Sequence, residues 1–181
     1  MSLMRGYFGI GVERLSKPVN AANLFRSAHA FGASFVFTIA ATYAAHEAAL
    51  DTSRAIENLP YYHWDSLSQM DLPKGCALVG IELTEDAVEL PSFKHPAKAA
   101  YVLGRERGAL SPALMGRCDH VVKIPARFCV NVAVAGAIVM YDRMLTLGRY
   151  PPRPLMPGGP AGKAANHRWG APIARKSEDG D

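Results

Sequence analysis

YFGIGVERLSKPVNAANLFRSAHAFGASFVFTI, residues 7–39, is the stretch that decides the fold. Tyr7–Val12 is a short apolar run that reads as a strand, and Pro18 punctuates the chain after it. From Asn20 to Phe31 the apolar residues Ala21, Leu24, Phe25, Ala28 and Phe31 recur at helical spacing. Gly32 closes that helix, since the residue past a helix end favours a left-handed backbone. Ser34–Ile39 is rich in β-branched and aromatic side chains and reads as a second strand. Strands alternating with helices imply an α/β fold with a largely parallel sheet flanked by helices.

The alternation continues outward. His46–Asn58 is a plausible helix, and Tyr61–Trp64 a short strand ended by the Asp65-Ser66 cap signal. Ala77–Glu82 and Ala100–Leu103 read as strands. Ser111–Met115 is a short helix behind a good N-cap. Val121–Ile124 is a strand stopped by Pro125. Cys129–Leu147 reads two ways: Val130, Val132 and Val134 alternate like a strand, while its length and Ala-Gly-Ala content argue for a helix. It is apolar nearly all round up to Met140, which predicts burial.

From Gly148 the character changes. Pro151, Pro152, Pro154, Pro157 and Pro160 fall among Gly158, Gly159 and Gly162, a composition that builds no packed core. The chain therefore divides into a domain over 1–147 and a flexible tail over 148–181. The tail carries Arg149, Arg153, Lys163, Arg168, Arg175 and Lys176 against Glu178, Asp179 and Asp181. It reads as a solvated linker or as a basic arm for nucleic acid.

The 181 residues are 49% hydrophobic and 20% charged, ordinary for a globular protein, and exclude collagen, coiled coil and wholesale disorder. A net charge of +4 permits a polyanionic partner without identifying one. The longest apolar run, near Phe35–Ala45, is about half the roughly 20 residues of a membrane span. No basic region followed by an apolar core opens the chain, so no secretory signal is expected. Three cysteines, Cys76, Cys118 and Cys129, form no CxxC pair and no disulfide framework. A reduced, cytoplasmic protein without a bound metal is the expectation.

Three segments carry candidate chemistry. In the first, Asn20, Asn23 and Arg26 fall within about 120° on the polar side of the predicted helix. Two amides and a guanidinium can hold a phosphate and a ribose hydroxyl. Equally, Asn20 can be an N-cap and Arg26 a solvated charge. In the second, Tyr101-Val-Leu-Gly-Arg-Glu-Arg-Gly-Ala-Leu-Ser111, a strand runs into a turn holding Gly104 and Gly108. Glycines there let a ligand approach the backbone. Glu106 lies between two arginines, where a surface ion pair is worth little. Neither a dinucleotide fingerprint nor a P-loop is present. In the third, Asn131 begins a helix predicted to be buried, where an amide must find partners. Cys129 beside it reads as a small buried hydrophobe.

Together, in this order, the three segments resemble the SpoU (TrmH-like) branch of the SPOUT RNA methyltransferases, in its compact form. The first motif, P-x-N-x-G-x-x-x-R continuing to F-G, is matched by Pro18, Asn20, Arg26, Phe31 and Gly32. The second, L-G-x-E-x-x-G-L-S in outline, is approximated by Leu103, Gly104, Glu106 and Leu110-Ser111, with Gly108 within one place of the family glycine. The third is approximated by Ile124-Pro125, then Cys129-Val130-Asn131-Val132 and Ala135. There are departures: Ala22 stands for the usual glycine, Arg105 for proline or a small residue, and Cys129 for serine. The loop before Cys129 is also shorter than usual.

The resemblance implies an α/β knot fold whose C-terminal part threads a deep trefoil, a topology otherwise nearly absent from proteins. It implies homodimers with the site completed across the interface. It implies S-adenosylmethionine held in the knot by Val79, Gly80, Ile81, Gly104, Gly108, Ile124, Cys129 and Val130. The reaction implied is methyl transfer to a ribose 2′-oxygen of RNA, with Asn20, Arg26, Glu106, Cys129 and Asn131 as the catalytic set. In that set Glu106 fixes Arg26, the two asparagines orient substrate and arginine, and Cys129 donates weakly where serine normally does. The first strand starts almost at once, so no separate N-terminal RNA-binding domain is expected. Compact members of this type act on the ribose of the tRNA wobble nucleotide, the leading substrate here, with another tRNA or rRNA site as alternative. A catalytically inactive RNA-binding module of the same fold, a base-directed relative and a small-molecule enzyme of the doubly wound class are the competing readings.

Overall fold

The computed structural model describes residues 6–42, 55–105, 108–148, 150 and 157–159. The strands among them are β1 (Tyr7–Glu13), β2 (Phe35–Ile39), β3 (Tyr61–Trp64), β4 (Ala77–Ile81), β5 (Val88–Glu89), β6 (Lys98–Leu103) and β7 (His120–Lys123). The helices are α1 (Pro18–Ala30), α2 (Ala55–Asn58), α3 (Pro112–Met115) and α4 (Val132–Leu147). All strand pairings are parallel, in the order β3-β2-β1-β6-β4-β7-β5. The parallel α/β sheet expected from the alternation is therefore present. The chain divides into two units, Met1–Arg149 and Tyr150–Asp181, and the sheet with its helices belongs to the first.

Both faces of the sheet are covered, which is why its strands read as continuous apolar runs. On one face Phe8, Ile10 and Val12 of β1 pack with Leu24, Phe25, Val132 and Val139 from α1 and α4. On the other, Phe35 and Phe37 of β2 pack with Val102 and with Leu110 and Leu114 at α3. The two glycines of β1 make room for those rings: a β-carbon on Gly9 would stand 2.2 Å from the Phe35 ring, and one on Gly11 2.3 Å from the Phe37 carbonyl oxygen.

Several boundaries shift. Helix α1 begins at Pro18, with Lys17 as its N-cap, so Asn20 is not the cap but sits inside the first turn. Proline costs nothing at the first helical position, where its missing N–H has no partner to lose. Gly32 takes a positive φ of 76° just past the helix end, as expected. Most of the predicted helix His46–Asn58 lies outside the described residues, apart from α2. The ambiguous Cys129–Leu147 stretch is helical from Val132, and its strand-like valines fall across the helix start. Its expected all-round burial does not hold. Val134 (49%), Ile138 (37%) and Tyr141 (48%) are exposed, because a helix layered on a sheet buries only its inner face.

At the sheet end where β1 and β6 begin, α4 contributes a buried cation. The Arg143 guanidinium, 1% exposed, donates to the carbonyls of Pro96 (2.6 Å), Ala97 (2.8 Å) and Tyr7 (3.3 Å) and to the Tyr101 hydroxyl (3.1 Å). His95 Nε2 donates to the Asp142 carboxylate at 2.9 Å, so its Nδ1 is left to accept from the Tyr101 hydroxyl at 2.6 Å. Burial pushes the His95 pKa below its ordinary value, against the opposing pull of Asp142, and pushes Tyr101 up to about 12.

Candidate active site

Parallel strands present their ligand sites beyond their C-terminal ends, where loops diverge. Here β6, β4 and β7 are adjacent, and the turns leaving them ring one cavity of about 350 Å³. That volume is within the usual range for small-ligand pockets. Ile81, Glu82 and Leu83 enter it from β4, and Leu103, Gly104, Arg105, Gly108 and Ala109 from β6. Ile124, Ala126, Phe128, Cys129 and Val130 follow β7, and Val132 and Ala135 close it from α4.

Two carboxylates hold the β6 turn from either side. Glu13 ends β1, is 3% exposed, and accepts from the Ser111 N–H at 2.7 Å and the Ser111 hydroxyl at 2.5 Å. The Ser111 oxygen in turn caps α3 through the Leu114 N–H at 3.2 Å. Glu82 follows β4 and accepts from the Leu110 N–H at 2.8 Å and the Leu83 N–H at 2.9 Å. Because β6 lies between β1 and β4, the strands on both of its sides supply an acceptor to the loop it feeds. Lys123 steadies the β4 loop by donating to the carbonyls of Thr84 (3.2 Å) and Glu85 (3.0 Å).

Of the residues expected at the cofactor, Ile81, Gly104, Gly108, Ile124, Cys129 and Val130 line this cavity. Val79 and Gly80 do not. Val79 is fully buried among the core side chains, and Gly80 faces the Cys118 thiol and Leu110 within the sheet. Only the last residue of a parallel strand reaches the loop layer. Leu83 and Phe128 were not anticipated as lining, nor Glu13 and Glu82 as loop anchors. A carboxylate closing an apolar strand run is the signal that marks Glu13.

The residues expected to be catalytic are partly brought together. Asn131 is exposed rather than buried: its side-chain oxygen caps α4 through the Ala133 N–H at 2.9 Å, and its Nδ2 donates to Asn20 Oδ1 at 3.2 Å. The first and third motifs thus meet through their asparagines. Cys129 is exposed too, not a core residue, whereas Cys118 is half-buried with its thiol pushed up to about 11 by burial. Arg26 is exposed on α1, about 9 Å along the helix axis from Asn20 at about 1.5 Å per residue, and does not line the cavity. Glu106 lies outside the described residues. Among the described residues no cluster of His, Cys, Asp and Glu could hold a metal ion, and no helix is long and apolar enough to cross a membrane.

Comparison with known proteins agrees with this fold. The sequence profile of the SpoU rRNA Methylase family matches residues 8–141. The tRNA (guanosine(18)-2′-O)-methyltransferase TARBP1 of Mus musculus is 26% identical over 74% of this chain, which spans only 9% of that protein. The SpoU methyltransferase AviRb of Streptomyces viridochromogenes superposes with a TM-score of 0.70 at 22% identity, over 80% of this chain and 60% of its own. It has also been crystallised with AdoMet. A chain solved in work on the 2-OH methylation of C/U34 on tRNA superposes with a TM-score of 0.69 at 20% identity, over 78% of this chain and 91% of its own.

Proposed function

The chain belongs to the SpoU rRNA methylase family, and from that premise we propose that it is an S-adenosylmethionine-dependent RNA methyltransferase acting on a ribose 2′-oxygen of tRNA, at the wobble nucleotide. The observation that carries the reading is the Asn20–Asn131 hydrogen bond beside a cavity ringed by three adjacent strand ends. The cavity fits the proposed cofactor: its lining is mostly apolar, as an adenosine needs, and it includes the glycines at 104 and 108. Ile81, Gly104, Gly108, Ile124, Cys129 and Val130 would hold it, and the trefoil knot is part of the same proposal.

When bound, the cofactor supplies an electrophilic sulfonium methyl group. The protein must align the ribose hydroxyl in line with it. Asn20 and Asn131, fixed on each other, orient that hydroxyl. Arg26 grips the neighbouring phosphate and stabilises the alkoxide charge that develops. A guanidinium, with pKa above about 12, does not serve as the base. In this proposal Glu106 would fix Arg26, as the resemblance implies, and Cys129 would donate weakly.

Arg26 does not line the cavity of its own chain. That supports a homodimer in which the site is completed across the interface. The exposed Val134, Ile138 and Tyr141 on α4 offer an apolar surface for it. Light scattering should give twice 19.5 kDa at micromolar concentration, and Val134→Glu with Ile138→Glu should halve it. A single-chain mass for the wild type rejects the dimer.

The tail is proposed as a basic arm. Deleting 148–181 should leave folding and cofactor binding intact and weaken RNA binding most at low salt. A truncated chain that fails to fold would make the tail structural.

The decisive experiment is incubation with labelled methyl donor and bulk tRNA, followed by nucleoside mapping. One 2′-O-methylated tRNA nucleoside is expected. Label in rRNA alone moves the substrate, and RNA binding without any label leaves an inactive module.

A further inference from the structure

Among the described residues the cavity has two ionic side chains, Glu82 and Arg105. Glu82 is already committed: its two oxygens accept the N–H groups of Leu83 and Leu110. Arg105 is exposed at the rim, and its side chain folds back over the turn onto Gly108. A β-carbon on Gly108 would stand 2.4 Å from Arg105 Nε and 3.1 Å from Nη2. The glycine therefore gives the guanidinium its seat, and any larger residue there would displace it. The rest of the described lining is uncharged and largely apolar, so among the described residues Arg105 alone offers a counter-charge to an anion entering this cavity.

We propose that Arg105 binds the carboxylate at the amino-acid end of the methyl donor, with Gly108 as the seat that aims it. This rests on the cofactor reading above. The donor has one anionic group, and a guanidinium takes a carboxylate through two parallel N–H···O bonds. Arg105 lines the nucleoside's own cavity, whereas Arg26 lies outside that lining. The apolar walls take the adenosine, and the arginine fixes which way the amino-acid end leaves the pocket.

The test compares two probes by calorimetry. S-adenosylhomocysteine carries the amine and the carboxylate. S-adenosyl-3-thiopropylamine keeps the amine and lacks the carboxylate. The wild type should prefer the first by about tenfold or more, the scale of a charge-assisted hydrogen-bonded pair. Arg105→Gln should bring the two within about threefold by weakening only the first. Arg105→Lys should recover part of the preference. Gly108→Ala should reproduce the Arg105→Gln pattern by unseating the arginine. An unchanged preference in Arg105→Gln overturns the proposal. So does a variant whose probe affinities hold while RNA binding weakens and loses salt dependence, which would assign Arg105 to a phosphate of the substrate. A wild type that binds neither probe overturns the cofactor reading itself, an outcome distinct from both.

Discussion

Arg26→Ala is expected to slow single-turnover methylation of RNA by a factor of about a hundred or more at saturating cofactor, the scale of losing one charge-stabilising donor at the transition state. Cofactor affinity should be unchanged, because Arg26 does not line the cavity. Stability should move by no more than about 0.5 kcal/mol, since the side chain is exposed on the outer face of α1. Arg26→Lys should rescue only in part, because a point charge does not replace a bidentate fork. A bare solvated arginine predicts the opposite pattern, with all three proteins equally fast. In that event Asn20 and Asn131 would remain joined, but the phosphate grip would have to come from elsewhere.

The largest stability change is expected at Arg143→Met. The thioether fills part of the volume between Phe8 and Tyr101, over whose rings the guanidinium lies at 5.2 and 5.8 Å from the centroids. It takes the Arg143 donor from the carbonyls of Tyr7, Pro96 and Ala97, of which Ala97 still accepts from the Tyr7 N–H at 3.0 Å. Taking one charged donor from three part-buried carbonyls and the buried Tyr101 hydroxyl together should cost about 3–5 kcal/mol, a large part of the roughly 5–15 kcal/mol that holds a domain folded. Urea unfolding gives the number, and a loss under about 1 kcal/mol would mean the network is incidental. Acid should act on the same region. Burial depresses the His95 pKa in the folded state, so the unfolded chain binds the proton more readily. Stability should fall as pH drops through the imidazole's ordinary value near 6.5.

Much of this architecture was legible in the residues. The apolar spacing of Ala21, Leu24, Phe25 and Ala28 found α1, and the apolar runs found β1, β2, β4, β6 and β7. Local pattern could not place Glu13 on Ser111, because that contact joins residues 98 positions apart. It misjudged Asn131 and the outer face of α4 for a related reason. Apolar composition predicts burial, but which face of a helix is covered depends on the layer it packs against. Val79 and Gly80 fall outside the cavity lining because a motif marks a strand, while only the strand's end meets the cavity. The asparagine pair is the counter-example. The order of the first and third motifs brought Asn20 and Asn131 into one set, and the fold joins them across 111 positions of chain.

The strand order has a consequence for how the molecule is made. β6 is sixth along the chain, yet it lies between β1 and β4 in the sheet. A ribosome must therefore add the residues from Glu13 to Leu103 before β1 gains its second neighbour, about 5–20 s of synthesis at about 5–20 residues per second. For that interval the finished β1–β2 ribbon has an apolar edge with unpaired N–H and C=O groups, as does β4. An unpaired apolar edge of that kind is a template for mispairing with other chains until the sixth strand emerges. Mutations that slow the insertion of β6 should reduce soluble yield from cells without altering the purified protein's equilibrium stability, a split that pulse labelling against urea titration would read.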